Sequence, residues 1–214
     1  MLLSLLFPPV CLGCGVLLRR EASPTLPLCR GCAREHVPLP PTAVVQGDIW
    51  AVHAYAGPLL RALGRLKFHG QPAWAGPLGA VLSTSPVLRH GWDAIVPVPL
   101  HPARLRSRGY NQAALLCRFA RGWLPSPRPP LEPRGLARHR ATAPQHRLPA
   151  AERHDNLHGA FAVPRPALAL VKGRRLLLVD DVTTTGATLA AARQALVAAG
   201  AAEVGALALL RTLA

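Results

Sequence analysis

A chain of 214 residues has room for one full α/β domain and a small appendage. Half of the residues are hydrophobic and 5% are aromatic, so a sizeable core is available and Ala, Leu and Val must fill it. No apolar run is long enough to span a bilayer, and a formal net charge of +15 with a pI near 11.5 favours polyanions: phosphorylated metabolites, nucleic acid or anionic lipid. Only Lys67 and Lys172 are lysines. With Ala and Pro also abundant, a compositional bias toward Arg is the competing explanation of the charge.

The opening MLLSLLFPPV is apolar but short and has neither a basic leader nor a small-residue cleavage site, which argues against a signal peptide. Residues 1–40 hold four of the five cysteines. Cys11-x-x-Cys14 and Cys29-x-x-Cys32 are thiolate pairs at the spacing of two metal knuckles, with Gly13, Gly15 and Gly31 supplying the tight turns. The spacing predicts a closed structural Zn²⁺ site. Such binding is worth roughly 10–16 kcal/mol apparent in small zinc peptides, enough to make this segment fold only with metal. Two disulfides are the alternative. The pattern suits a reducing compartment, so a cytoplasmic location is expected. Cys117, among apolar residues of a predicted helix, reads as a core thiol.

HVPLPPT, His36 to Thr42, reads as a linker, which gives an expected zinc-ribbon domain over 1–40 and a second domain over 48–214. Ile49 to Tyr55 alternates as a strand. Pro58 to Phe68 places Leu59, Leu60, Leu63 and Leu66 at helical spacing, and Pro72 to Leu82 suggests another helix. Asp93 to Val98 predicts a short buried strand ending in a Pro-rich turn. Next come Arg104, Arg106 and Arg108 at alternating positions and then Gly109, a basic loop that could cradle a diphosphate or be merely solvated. A helix is predicted over Tyr110 to Trp123. Leu124 to about Leu157 is rich in Pro, Arg and His without clean periodicity, and a long loop or flap is expected there. Phe161 to Val163 suggests a brief strand.

The most informative stretch is RRLLLVDDVTTTGAT, residues 174–188. Its apolar run predicts a central parallel strand over Arg175 to Val179. Asp180 and Asp181 then fall at the carboxyl edge, where open α/β sheets bind ligands. Val182, Thr183, Thr184, Thr185, Gly186, Ala187 and Thr188 lead into a helix over Thr188 to Ala199. Gly186, the threonine hydroxyls and the helix N-terminus make an anion site sized for a phosphate. The carboxylates suit vicinal hydroxyls or Mg²⁺. No lysine follows a glycine at the spacing of a P-loop. Glu203 to Leu210 is the last strand, and strand, helix and strand in this order demand a parallel crossover.

LLLVDDVTTTGAT resembles the 5-phosphoribosyl 1-diphosphate (PRPP) signature of type I phosphoribosyltransferases. The resemblance implies that Asp180 and Asp181 hold the ribose 2′- and 3′-hydroxyls and that Thr183 to Thr188 wrap the 5-phosphate, with Mg²⁺ accompanying PRPP. Purine-salvage members carry a general-base Asp where this chain has Thr184, which argues against that chemistry. The phrases LKFHG, VPVPLHPARLRSRGYNQA, Thr142-x-x-Gln145, Arg153-x-x-Asn156, Gly159-Ala160-Phe161 and DDVTTTGATL, in this order, resemble the ComF family of competence-associated proteins across nearly the whole chain. That family carries an N-terminal zinc ribbon.

The resemblance implies a mostly parallel α/β sheet flanked by helices and a flexible loop over Arg138 to Asn156 that closes on PRPP, with Arg138, Arg140, Gln145 and Arg153 as its candidate ligands. Catalytic candidates are Asp180, Asp181 and Lys67. The function it implies is phosphoribosyl transfer to an unidentified acceptor. The alternative is a single-stranded-DNA-binding competence factor with a non-catalytic PRPP or nucleotide pocket, although no basic residues alternate with aromatics as a stacking platform requires. Amidophosphoribosyl transfer needs an N-terminal nucleophilic Cys, so MLLSLL argues against it. A homodimer is compatible with the sequence.

Overall fold

The computed structural model describes residues 9–18, 23, 25–40, 44–46, 49–139 and 159–213. Its centre is a five-stranded sheet in the order β1-β2-β7-β6-β3. The strands are β1 (Val44–Gln46), β2 (Ile49–Ala54), β3 (Ala94–Pro97), β6 (Arg175–Thr183) and β7 (Glu203–Arg211). β1 is antiparallel to β2; β2, β7, β6 and β3 run parallel. A separate two-stranded ribbon joins β4 (Ala137–Arg138) to β5 (Phe161–Ala162).

Alternation along β6 divides the core in two. Leu177 and Val179 face one cluster with Leu59, Leu63 and Leu66 of α2 (Gly57–Phe68), Leu78 and Leu82 of α3 (Ala75–Leu82), and Leu116 and Cys117 of α5 (Gln112–Gly122). Leu176 and Leu178 face the other, with Leu189, Ala192 and Leu196 of α6 (Ala187–Ala198) and Phe161. A strand covered on both faces must be apolar throughout, which is why β6 reads as an unbroken Leu and Val run. Cys117 is buried in the first cluster. α3 and α5 approach so closely that a Cβ on Gly79 would lie 2.5 Å from Phe119 Cβ and 2.9 Å from the Ala120 amide nitrogen.

Three elements differ from the sequence expectation. β6 does not stop at Val179; it keeps its ladder with β7 through Thr183, with Asp180 opposite Ala208 and Thr183 opposite Arg211. Pro102–Arg108 is a helix, α4, rather than a loop. It has an N-terminal cap in His101, a proline in its first turn and Gly109 at φ 83° as its stop, all recognised helix signals. The proline-rich segment after Trp123 lines the edge of β3. Ile95 N–H donates to the Pro130 carbonyl at 2.9 Å, and Glu132 N–H donates to the Ile95 carbonyl at 2.9 Å. Prolines keep their carbonyl acceptors, so they serve an edge on that side.

The cysteine segment, with its short helix α1 (Arg30–Glu35), is joined to the sheet domain by packing. Leu12 is fully buried in the α2–α3–α5 core, and His36 Nε2 lies 3.0 Å from His53 Nδ1 of β2. No described helix is long and apolar enough to cross a membrane.

Candidate functional site

The carboxyl end of β6 and the last turn of α2 bring three sequence-predicted groups together, Asp180, Asp181 and Lys67. Asp180 and Asp181 are 9% and 3% exposed. Successive strand residues point to opposite faces, so the pair divides its environment. Lys67, in the last turn of α2, places Nζ 2.9 Å from Asp181 Oδ1. The second oxygen, Asp181 Oδ2, is buried and has no hydrogen-bond partner. The Asp181 amide donates to Asp180 Oδ1 at 2.8 Å. Burial and then the neighbouring Asp181 charge push the Asp180 carboxyl up to about 8, with Lys67 pulling the other way. Asp180 therefore holds its proton more tightly than an ordinary carboxyl does.

Arginines surround it. Burial lowers Arg108, and the charge of Asp181 opposes that lowering; burial likewise lowers Arg138, opposed by Asp180, while Arg104 repels both. Helical geometry sorts the expected basic cradle. Arg104 and Arg108 are four residues apart and share a face of α4, whereas Arg106 turns away. Arg104 and Arg106 are exposed; Arg108 is half-buried and donates to Gln112 Oε1. Arg138 lies in β4, its guanidinium carbon 5.4 Å from the Phe161 ring centroid. Arg140, Gln145 and Arg153 lie outside the described residues.

The threonine-glycine segment is a bend between β6 and α6. Thr183 is buried, Thr184 and Thr185 are exposed, and the helix starts at Ala187 rather than Thr188. Thr185 Oγ1 accepts from the Ala187 amide at 3.4 Å. Gly186 takes φ 83°, and a Cβ there would lie 2.9 Å from Ile49 Cδ1, so the turn admits only glycine without strain. The bend directs the positive end of the α6 dipole toward the carboxyl edge of the sheet.

Sequence reasoning gave no role to the residues that hold these parts together. Asn111 caps α5 by accepting from the Ala113 amide at 2.9 Å, and its Nδ2 donates to the Val98 carbonyl at 3.0 Å. Tyr110 Oη donates to the Leu66 carbonyl, fixing the last turn of α2 against the Gly109 turn. The polar GYNQ run between two basic and apolar segments is the signal that could have marked them.

A second site lies at the start of the chain. Cys11, Cys14, Cys29 and Cys32 keep their sulfurs within 4.8 Å of one another, the group among the described residues that could hold a metal ion. Cys14 and Cys29 Sγ are 3.7 Å apart. A tetrahedral ion with metal–sulfur bonds of about 2.3 Å needs edges of about 3.8 Å, so the residues fit a metal such as zinc. Donors are arranged around the sulfurs: the Cys29 amide reaches Cys11 Sγ at 3.3 Å and Arg61 Nη2 reaches Cys32 Sγ at 3.6 Å. Burial raises Cys11, but N–H groups of Cys14, Cys29 and Gly13 outweigh it and bring the thiol to about 6. Burial and neighbouring sulfurs push Cys32 up to about 12. Four sulfurs this close ionise together only around a cation.

Residues 137–214 match the phosphoribosyl transferase domain family model. The DNA utilization protein YhgH of Salmonella typhimurium is 35% identical over 210 residues, covering 95% of this chain and 85% of the relative. Competence protein F of Haemophilus influenzae is 43% identical over 101 residues, 45% of this chain and 41% of the relative. Among solved structures, glutamine PRPP amidotransferase from B. subtilis, complexed with ADP and GMP, aligns at 21% identity and a TM-score of 0.43 over 69% of this chain; the chain spans 30% of that protein. The chain belongs to the ComF-like family that includes YhgH and competence protein F, a phosphoribosyltransferase-type α/β domain with an N-terminal four-cysteine cluster.

Proposed function

We propose that the chain binds Mg²⁺-PRPP at the carboxyl edge of β6 and transfers its phosphoribosyl group to an acceptor, releasing diphosphate. The observation that carries this reading is the buried, unpartnered Asp181 Oδ2 beside Asp180. A buried carboxylate oxygen without a donor is costly, and a ribose hydroxyl is a donor that would satisfy it. The bend Thr183–Gly186 and the α6 dipole would receive the 5-phosphate. Arg104, Arg108 and Arg138 would neutralise the diphosphate. Mg²⁺, when bound, would supply charge neutralisation on the diphosphate, and Asp180 and Asp181 would be the carboxylates available to help hold it.

In the reaction the bond from C1′ to the diphosphate oxygen breaks and its electron pair leaves with diphosphate. The acceptor's lone pair forms the new bond to C1′, and the acceptor's proton passes to solvent. Fixed positive charge around the leaving group stabilises the charge that develops there. The four cysteines hold Zn²⁺ as a structural ion, and a cytoplasmic location keeps their thiols reduced. The cellular role is linked to competence and DNA utilization, after the names of the relatives.

A second reading is supported by those same names and by the net charge of +15: single-stranded DNA binding, with PRPP or a nucleotide held but not turned over. Two assays on one variant separate them. Asp181→Asn is expected to abolish PRPP-dependent diphosphate release and leave oligonucleotide affinity unchanged. Diphosphate release that survives in Asp181→Asn contradicts the placement of the site on Asp181, and wild-type PRPP binding with no release under any acceptor supports the second.

A further inference from the structure

A cavity of about 380 Å³ opens beside the amino end of β3, at the end of the sheet opposite the acidic pair. Gly91 is in its lining and accepts from Arg175 Nη1 at 3.2 Å. Arg175 is the first residue of β6, and Asp181 lies six residues along that strand, about 20 Å away at ~3.3 Å per residue. The floor is apolar. Leu88, Trp92 and Leu124 form it, each no more than 6% exposed, and the prolines that follow Leu124 form a wall.

These surfaces are held before any ligand arrives. Trp92 Nε1 donates to the Val87 carbonyl at 2.6 Å, and the Trp92 ring takes the space of a Cβ on Gly205, which would lie 2.5 Å from it. The proline wall is pinned twice. Arg121 Nε donates to the Pro129 carbonyl at 2.8 Å, and the Ile95 amide donates to the Pro130 carbonyl at 2.9 Å.

The charge in the lining is all positive. Arg89 and Arg128 line the cavity, and no carboxylate does so among the described residues. Arg128 Nε donates to the Leu124 carbonyl at 2.9 Å, which fixes the guanidinium and leaves its two Nη groups for a ligand. Arg89 keeps one long bond, 3.4 Å to the Ser85 carbonyl. Asp93, the nearest acid in sequence, is engaged elsewhere and accepts from the Arg175 amide at 2.8 Å.

We infer that this cavity is a second binding site, for a small organic acid with an apolar body and one carboxylate. Its volume falls at the small end of the range of about 300–1,000 Å³ for small-molecule sites. The hydrocarbon body covers the Leu, Trp and Pro floor, and the carboxylate takes paired N–H groups of a guanidinium. A diphosphate or a nucleic-acid backbone would lose its water against apolar walls that return few donors. The site goes beyond the phosphoribosyl reading and does not depend on it.

The probe is 2-naphthoate, with 2-naphthamide as its uncharged counterpart, titrated into the metal-loaded full chain and followed by saturation-transfer NMR on the naphthalene protons. The wild type is expected to bind 2-naphthoate saturably and the amide at least about tenfold more weakly, since a charge-assisted bond is lost. The double variant Arg89→Ala/Arg128→Ala is expected to lose about tenfold or more for the acid, with little change for the amide. Arg165→Ala, an exposed arginine outside the lining, is expected to bind as the wild type does. Both lining arginines are exposed, so an unchanged melting temperature verifies folding of the double variant. Four results overturn the inference: no binding of 2-naphthoate at millimolar concentration, equal binding of acid and amide, undiminished binding by the double variant, or displacement of 2-naphthoate by PRPP. The last would put the acid in the phosphoribosyl site. Failure of PRPP itself to bind would sink the phosphoribosyl reading and leave this site to its own titration.

Discussion

Lys67 reaches from the last turn of α2 to Asp181 at the end of β6, ammonium to carboxylate at 2.9 Å, with the two side chains 16% and 5% exposed. The pair joins the helix that packs on the cysteine segment to the strand that carries the acidic pair. On that same helix Arg61 contacts both Glu35, at 2.9 Å, and Cys32.

Removing the ammonium leaves a buried carboxylate uncompensated. Lys67→Met keeps most of the aliphatic stem and is expected to destabilise the chain by about 3 kcal/mol, the range for breaking a buried pair. Urea unfolding monitored by tryptophan fluorescence measures it. A loss below about 1 kcal/mol would mean that solvent reaches the pair freely.

The raised carboxyl of Asp180 fixes the sign of a pH dependence. Its ordinary value is 3.8 and its folded value about 8, so between these the native state binds more protons than the unfolded state. Stability is then greatest below pH 4 as far as this group is concerned, and is lost as pH rises to about 8. Asp180→Asn should flatten that descent in unfolding curves taken across the window. If ligand hydroxyls require the carboxylate form, PRPP binding near pH 7 releases a proton, and the binding enthalpy changes with the ionisation enthalpy of the buffer.

The helical form of α4 separates arginines that a linear reading groups together. Arg104 shares a face with Arg108; Arg106 does not. A charge-assisted phosphate contact is worth about 1.5–3 kcal/mol, so Arg104→Ala should weaken PRPP binding roughly tenfold or more. Arg106→Ala should change it less than about twofold. Equal losses would indicate that α4 unwinds when the ligand binds.

The cysteine cluster makes a stoichiometric prediction. Purified chain should carry one zinc per molecule by plasma emission, and Cys32→Ser should carry little or none. Because Leu12 is buried in the main core and Arg61 leans on Cys32, metal loss should also lower the melting temperature of the sheet domain. A metal-free variant with an unchanged melting temperature would show that the cysteine segment folds independently.

Much of this was legible in the sequence because both sites are local. The Cys-x-x-Cys pairs converge by knuckle geometry alone, and the apolar run of β6, its two aspartates and Gly186 are contiguous. What the sequence hid depends on partners far along the chain. β6 continues through Asp180 and Asp181 because β7 extends to Arg211 and pairs with it, which turns an expected loop into two carboxylates on opposite faces of a strand. Pro130 and Leu131 lie along β3 because its edge needed partners; no periodicity announces that. The caps of α4, His101, Pro102 and Gly109, are present in the sequence, but Arg104, Arg106 and Arg108 alternate between them as they would in an extended basic loop.

Two carboxylates and a threonine-glycine bend make up the proposed phosphoribosyl diphosphate site. Isothermal titration of PRPP into the metal-loaded full chain, in Mg²⁺ and again in EDTA, tests it directly. The prediction is a single saturable site in Mg²⁺, weakened by at least tenfold in EDTA and lost in Asp181→Asn, with ribose 5-phosphate far weaker than PRPP because Arg104, Arg108 and Arg138 have no diphosphate to hold. Absence of binding by the wild-type chain at low millimolar PRPP and Mg²⁺, or undiminished binding by Asp181→Asn, would contradict it.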